Sequence, residues 1–133
     1  MFLTVEKNNV VYLAERRKDM LNQIVLVGRL VYDIKVNKTD AGKKIATITL
    51  AVPRSFKNKD GLYDTDFIDC LLWDNVATNT STYCKKGDIV GIKGRIQSRI
   101  VTDNDQNNKT EIQLIAEKVT FLSSKKEDEK SNN

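Results

Sequence analysis

The chain has 133 residues, of which 40% are hydrophobic and 30% charged, and its net charge is +4 with an isoelectric point near 9.0. This length suits one small domain with tails, and a mildly basic balance favours an anionic polymer as a partner. Two cysteines and no histidine exclude histidine-based catalysis and the usual zinc sites, so we expect no metal and no cofactor. Without a disulfide pattern or an apolar run near ~18 residues, we expect a cytoplasmic protein that does not enter a membrane.

Residues 1–19 differ in character from the rest of the chain, with scattered apolar residues and charges at positions 16–18. A signal peptide has the reverse order. The segment is predicted either to add a short strand at Val10–Leu13 or to be disordered. Residues 15–19 can be encoded by purine-rich codons, as in a ribosome-binding site. A further hypothesis is therefore that this extension is not native and that Met20 is the true start.

Two strands with alternating apolar residues follow. The first is predicted at Asn22–Val36, and Gly28 inside it indicates a bend or a close backbone approach. After a turn region at Asn37–Lys44 comes the second strand, Ile45–Val52, and Pro53 is expected to end its regular ladder. The inward faces of these two strands are predicted to hold Ile24, Leu26, Gly28, Leu30, Ala46, Ile48, Leu50 and Val52.

The third strand, Tyr63–Trp73, has two faces of different character. Side chains alternate between the faces of a strand, which places Ile68, Cys70 and Leu72 on the inward face. The opposite face carries aromatic residues and a carboxylate, namely Tyr63, Phe67, Asp69, Leu71 and Trp73. An ordinary solvent face would not display this aromatic content. The pattern favours either a platform for a flat ligand or a contact with another subunit.

One helix is predicted at Asn75–Tyr83, with Asp74 or Asn75 as its N-cap and Gly87 closing it. Val76, Thr80 and Tyr83 are predicted to lie on one face of this helix. Residues 123–133 are polar and are predicted to be a disordered tail.

The fourth and fifth strands are predicted at Ile89–Arg99 and Lys109–Leu122. Their inward residues are predicted to be Val90, Ile92, Gly94, Ile96, Ile112, Leu114 and Ala116. The fourth strand also carries three cations on one outward side, Lys93, Arg95 and Arg99. By itself, such a basic stripe is more typical of a solvated strand face than of a binding site.

Three strands, one helix and two strands predict an all-β protein with the OB-fold, a five-stranded Greek-key barrel with a helix between its third and fourth strands. In this layout aromatic and basic residues combine into a site for single-stranded nucleic acid, because bases stack on aromatic rings while cations follow the phosphates. The candidate residues are Arg29, Arg54, Phe56, Lys57, Phe67, Trp73, Lys93, Arg95 and Arg99.

Three alternatives remain open at this point. Nothing in the residues reports on the 2′-hydroxyl, so an RNA-binding or primosomal OB protein fits as well. The carboxylates Asp64, Asp66, Asp69 and Asp74 raise a metal-dependent nuclease, but they do not share one strand face and no base accompanies them. A third possibility is an assembly protein whose aromatic face is a buried interface. We predict a protein that is not an enzyme.

Five segments, in order, resemble the bacterial single-stranded DNA-binding proteins across residues 20–122. They are MLNQIVLVGRL, IATITLAVPRSF, TDFIDCLLWDN, YCKKGDIVGIKGRIQSR and TEIQLIAEKVTFL. The resemblance implies that this domain binds and protects single-stranded DNA without sequence preference in replication, recombination or repair. It also implies a homotetramer, in which the first strand pairs subunits, and association with the nucleoid.

Carried over by position, the resemblance implies base stacking by Phe56, Phe67 and Trp73. It implies phosphate contacts by Arg29, Arg54, Lys57, Lys86, Arg95 and Arg99. Two departures stand out. Val101 lies where the family often has a further aromatic residue, which implies one stacking site fewer. The chain ends KKEDEKSNN, without the acidic and apolar tip through which members recruit replication and repair enzymes, and this argues against such recruitment.

Overall fold

The structure, a computed structural model, describes residues 3–7, 10–14 and 20–124. Within these ranges it contains eight strands and one helix. In chain order they are β1 (Leu3–Lys7), β2 (Val10–Ala14), β3 (Ile24–Leu30), β4 (Asn37–Lys38), β5 (Lys44–Lys57), β6 (Tyr63–Trp73), α1 (Asp74–Tyr83), β7 (Ile89–Thr102) and β8 (Asn108–Ser123). None of the described helices is long and apolar enough to cross a membrane.

Five of the strands form a closed ring in the order β3-β7-β8-β6-β5, and β5 returns to pair with β3. All neighbours are antiparallel except β6 and β8, which run parallel and are registered at one pair, Leu71 with Ile115. With α1 between β6 and β7, this is the predicted OB-fold, which is confirmed. The short strand β4 lies in the predicted turn region and adds to the edge of β5.

The core lies inside this ring and follows the alternation of the strands. Most inward residues of β5 and β6 are at most 2% exposed, among them Leu50 and Leu72 at 0%, while Val52 and Ile68 are partly buried and pack against this core. Cys70 is also buried there, and burial raises the pKa of its thiol to about 12. The predicted inward faces of β5 and β6 are therefore confirmed.

Gly28 marks the point where β3 meets β5 and closes the barrel. A Cβ at this position would lie 2.9 Å from both the carbonyl oxygen of Ala51 and Cγ2 of Val52. Real Cβ atoms do not come this close to a backbone atom, so only glycine permits the approach. The predicted close backbone approach is confirmed.

Two residues predicted to face inward lie outside the core. Ile96 is 43% exposed and Ile112 is 66% exposed, so their assignment to the core was wrong. The register of β7 with β8 shifts between Lys93 and Gly94, and from residue 96 to residue 102 β7 pairs only with residues 108–114 of β8, a two-stranded segment that we call the arm. Alternation predicts which face a residue occupies, but not where the barrel beneath that face ends.

The helix is confirmed, but the predicted caps were wrong. Its N-cap is Trp73, which makes no side-chain capping hydrogen bond, and its C-cap is Cys84, whose N–H donates to the carbonyl of Thr80. Gly87 instead adopts a positive φ of 92° in the following turn, where its N–H donates to Leu30. The buried helix residues are Ala77 and Thr80, whereas Tyr83 is exposed.

The ends of the domain differ from prediction in small ways. The first strand is shorter than expected, at Ile24–Leu30. The strand predicted at Val10–Leu13 is present as β2, paired with β1. Ser123 pairs with Ile89 and so belongs to β8 and not to the tail. The predictions for the remaining residues of the extension and for residues 125–133 lie outside the described ranges.

Candidate nucleic-acid interface

The outward side of β6 presents Phe67, Asp69, Leu71 and Trp73, which we call the aromatic face. Phe67 is 68% exposed and Trp73 is half-buried. Phe67 and Trp73 are six positions apart along the strand, or about 20 Å. Their neighbours on β5 are mostly small, with Ala51 beside Phe67, Thr49 beside Asp69, Thr47 beside Leu71 and Ile45 beside Trp73. The ring of Phe67 is therefore open to a flat ligand.

The hairpin of β5 and β6 extends the aromatic face beyond the barrel. Its ladder is regular as far as Pro53 and resumes only at the pair of Lys57 with Tyr63, which confirms the predicted effect of Pro53. Phe56 lies in this irregular stretch and is 63% exposed. The Lys57 ammonium lies 5.8 Å from the centroid of the Tyr63 ring, within the range of a cation–π contact.

Arg54 is held by carboxylates of the neighbouring strand. Its Nε and Nη2 donate to the carboxylate of Asp66 at 2.9 to 3.3 Å, and its Nη1 lies 3.8 Å from Asp64. The hydrogen bond from Arg54 lowers the pKa of Asp66 below its ordinary value. A phosphate at Arg54 must therefore compete with a bidentate ion pair.

The cations of β7 also have partners. Arg95 is half-buried and donates to Oε1 of Gln97 at 2.8 Å. Arg99 forms an ion pair with Glu111 of β8 at 3.2 Å. Lys93 is exposed and lies opposite Val25 of β3. The basic stripe exists, but part of its charge is balanced within the arm.

Arg29 connects the aromatic face to the turn after the helix. It lies opposite Ala51, which in turn lies opposite Phe67, so the three residues form one row across three strands. Its Nη1 donates to the carbonyl of Gly87 at 2.6 Å, next to the exposed Lys86. A hollow of about 320 Å³ lies at the Arg29 and Ala51 end of this row, lined by Val27, Gly28, Arg29, Ala51, Pro53, Thr65 and Ile89.

The four aspartates that suggested a metal-dependent nuclease do not form one cluster. Asp64 and Asp66 contact Arg54, whereas Asp69 accepts a hydrogen bond from Thr49 at 2.6 Å. Asp74 begins the helix with a positive φ of 48°. Across the described ranges, no three His, Cys, Asp or Glu side chains are grouped so that they could hold a metal ion.

Comparison with protein families gives a match to the single-strand binding protein family over residues 21–122. The chain belongs to the single-strand binding protein family. The matched residues include the whole barrel, the aromatic face and the arm, and leave out β1 and β2. The resemblance found in the sequence is thereby confirmed.

Several members of the single-strand binding protein family are similar to this chain. Single-stranded DNA-binding protein B of Bacillus subtilis is 43% identical over 106 residues, which cover 80% of this chain and 94% of the relative. Single-stranded DNA-binding protein 3 of Listeria innocua is 44% identical over 106 residues, or 80% of this chain and 66% of the relative. The single-stranded DNA-binding protein of Halalkalibacterium halodurans is 43% identical over 103 residues, covering 77% and 61%.

The sequence did not predict the partners of the charged residues. Arg54 and Arg99 each pair with a carboxylate on an adjacent strand, and Thr49 holds Asp69. A signal was present, because residues that lie opposite or diagonally on paired strands interact. Using it requires the register, which the sequence leaves open around Pro53 and Gly94.

Proposed function

We propose that this chain binds single-stranded DNA without sequence preference and protects it during replication, recombination or repair. The observation that carries the proposal is the aromatic face, which presents the rings of Phe67 and Trp73 on an OB-fold, with the exposed Phe56 and several cations nearby. Stacking on such a face tolerates any base, while lysine and arginine follow the phosphates. The family to which the chain belongs supports the same function.

In this proposal residues 20–122 are the binding domain. Phe56, Phe67 and Trp73 stack on bases. The phosphates are contacted by Arg29, Arg54, Lys57, Lys86, Lys93, Arg95 and Arg99. The protein has no catalytic role and acts in the cytoplasm at the nucleoid.

The test is a titration of Trp73 fluorescence with poly(dT) at several salt concentrations. Trp73 is the single tryptophan, so the signal has one source. We expect strong quenching, and an affinity that falls with salt because phosphate contacts release counterions, by roughly 0.7 in logarithmic slope per contact. Poly(dT) that neither quenches Trp73 nor binds in a filter assay would contradict the proposed function.

We also propose that the protein is a homotetramer assembled in part through β3. Val25 and Val27 support this, because they lie on the outward side of β3 and are 66% and 52% exposed. Exposed apolar residues side by side are typical of contact surfaces. Sedimentation equilibrium should give about 60 kDa, four times the chain mass of 15.1 kDa. Val27→Asp should shift the mass downwards, and a wild-type mass of one chain would refute the assembly.

A further inference from the structure

Strand β6 carries a second exposed ring on the side of Phe67, and the proposed function leaves it unused. Tyr63 and Phe67 are four positions apart, so alternation places both on one side of the strand. Tyr63 is 57% exposed and lies outside the core cluster. Four positions correspond to about 13 Å along a strand. A DNA strand that is stacked on Phe67 and runs towards the end of the hairpin therefore meets this ring.

The surface between the two rings is open. The residue between them on this side of β6 is Thr65, and its neighbour on β5 is Pro53. Both are exposed, and both line the hollow of about 320 Å³ that lies at Arg29 and Ala51. A nucleic-acid strand can therefore pass from one ring to the other across small side chains.

Lys57 lies opposite Tyr63 on β5 and contacts its ring. The ammonium is 5.8 Å from the ring centroid, and a cation over one face of this exposed ring leaves the other face for a base. Within residues 20–124 no carboxylate forms an ion pair with Lys57, in contrast to Arg54 and Arg99. An ammonium carries three donors, so Lys57 can contact a phosphate without giving up an ion pair.

The turn before Tyr63 is fixed by Asn58. Its Oδ1 accepts the N–H groups of Asp60 and Leu62 at 2.9 and 3.0 Å, and its own N–H donates to the carbonyl of Leu62 at 2.7 Å. Its Nδ2 donates to Oδ1 of Asp64 at 3.0 Å. A ligand that binds an ordered segment loses less free energy to ordering it. Tyr63 is therefore held in place before DNA arrives.

The carboxylates next to Tyr63 in the chain lie on the reverse side of the hairpin. Alternation places Asp64 and Asp66 on the side of β6 opposite to Tyr63, and both contact Arg54 there. The side that carries Tyr63 therefore offers a polyanion a ring and a cation, with these two negative charges directed away from it.

We propose that Tyr63 and Lys57 form a further subsite for single-stranded DNA, in which the ring stacks on a base and the ammonium contacts a neighbouring phosphate. This inference rests on the proposed function, since it requires the DNA to lie along β6. It extends the path of the DNA from the barrel to the end of the hairpin. Stacking tolerates any base, so the subsite adds affinity and no sequence preference.

The test compares the affinity of wild type, Tyr63→Ala and Tyr63→Phe for poly(dT). We expect Tyr63→Ala to bind at least about fivefold more weakly, the lower end for one stacked base, and Tyr63→Phe to bind within about twofold of wild type because it keeps the ring. Stacking releases no counterions, so Tyr63→Ala should keep the salt slope of wild type. Lys57→Gln should reduce that slope by roughly 0.7, and an unchanged slope would remove Lys57 from the subsite.

Tyr83→Ala is the matched control. It removes a tyrosine ring that is 75% exposed from the end of α1, and the affinity should stay within about twofold. Photocrosslinking of wild type to a strand with 5-iodouracil in place of thymine, followed by peptide mapping, should mark Tyr63 as well as Phe67 or Trp73. This second measurement decides the question if Tyr63→Ala does not fold.

The outcomes separate the subsite from the proposed function. If wild type binds and crosslinks at Phe67 or Trp73 but not at Tyr63, and Tyr63→Ala binds as tightly as Tyr83→Ala, the subsite is refuted while the proposed function stands. If wild type does not bind poly(dT), both are refuted.

Discussion

Gly94→Ala is expected to destabilise the barrel by about 3 kcal/mol or more, the upper range for forcing atoms into a packed site. A Cβ at Gly94 would collide with the backbone carbonyl of Ile115 and approach the Cα of Ala116 to 3.1 Å. Backbone cannot move aside as a flexible side chain can. Because Ile115 also forms the registered pair that joins β8 to β6, displacing it opens the ring.

Gly91→Ala is the matched control on the same strand. The nearest atom to a Cβ at Gly91 is Cδ1 of Leu122 at 3.7 Å, an ordinary contact. Alanine also loses less chain entropy than glycine on folding, so this change should be neutral or stabilising by up to about 1 kcal/mol. Urea unfolding of both variants measures the difference. Equal midpoints for Gly94→Ala and the parent would mean that β7 and β8 do not approach as closely as described.

Phe67→Ala is expected to weaken binding of single-stranded DNA by about 1–3 kcal/mol, or roughly 5- to 150-fold, the loss of one stacked base. The ring is 68% exposed and makes no part of the core cluster. Its removal should therefore change the free energy of unfolding by no more than about 0.5 kcal/mol. Equilibrium titration with poly(dT) and urea unfolding on the same sample separate these two effects.

The control for Phe67 is Tyr83→Ala. Tyr83 is an aromatic residue of similar exposure, at 75%, but it lies at the end of α1 and not on the aromatic face. Its replacement should leave the affinity for poly(dT) within about twofold, since surface changes away from a site are small. A Phe67→Ala variant that binds as tightly as Tyr83→Ala would remove Phe67 from the path of the strand. A Phe67→Ala variant that does not fold would show that the ring stabilises the domain.

The sequence predicted the parts of this fold that depend on alternation. The inward residues of β5 and β6, such as Ile48 and Cys70, follow a period of two because one side of each strand is buried. Alternation failed on β8, where Leu114, Ile115 and Ala116 are all buried. Three consecutive buried residues arise where a register shift lets the strand contact two neighbours, and that depends on tertiary pairing and not on local pattern.

The sequence predicted the positions of the aromatic side chains in the candidate site better than the partners of its charged side chains. Phe67 could be placed on the outward side because side chains alternate along a strand, whereas Phe56 lies past Pro53, where the ladder is irregular and alternation does not apply. The ion pair of Arg54 with Asp66 could not be predicted, because it joins residues on two strands where the ladder is irregular. Which residues face each other there depends on where regular pairing resumes after Pro53. The local sequence does not specify that position.

The ion pairs of Arg54 and Arg99 mean that two of the proposed phosphate-binding cations already have a counter-charge within the protein. Seven proposed phosphate contacts would give a salt slope near −5, at about −0.7 each. For these two arginines, however, a phosphate replaces Asp66 or Glu111, and the released carboxylate takes up a cation from solution. That uptake offsets the cation given off by the DNA. The affinity for single-stranded DNA should therefore fall less steeply with salt concentration than the number of lysines and arginines suggests.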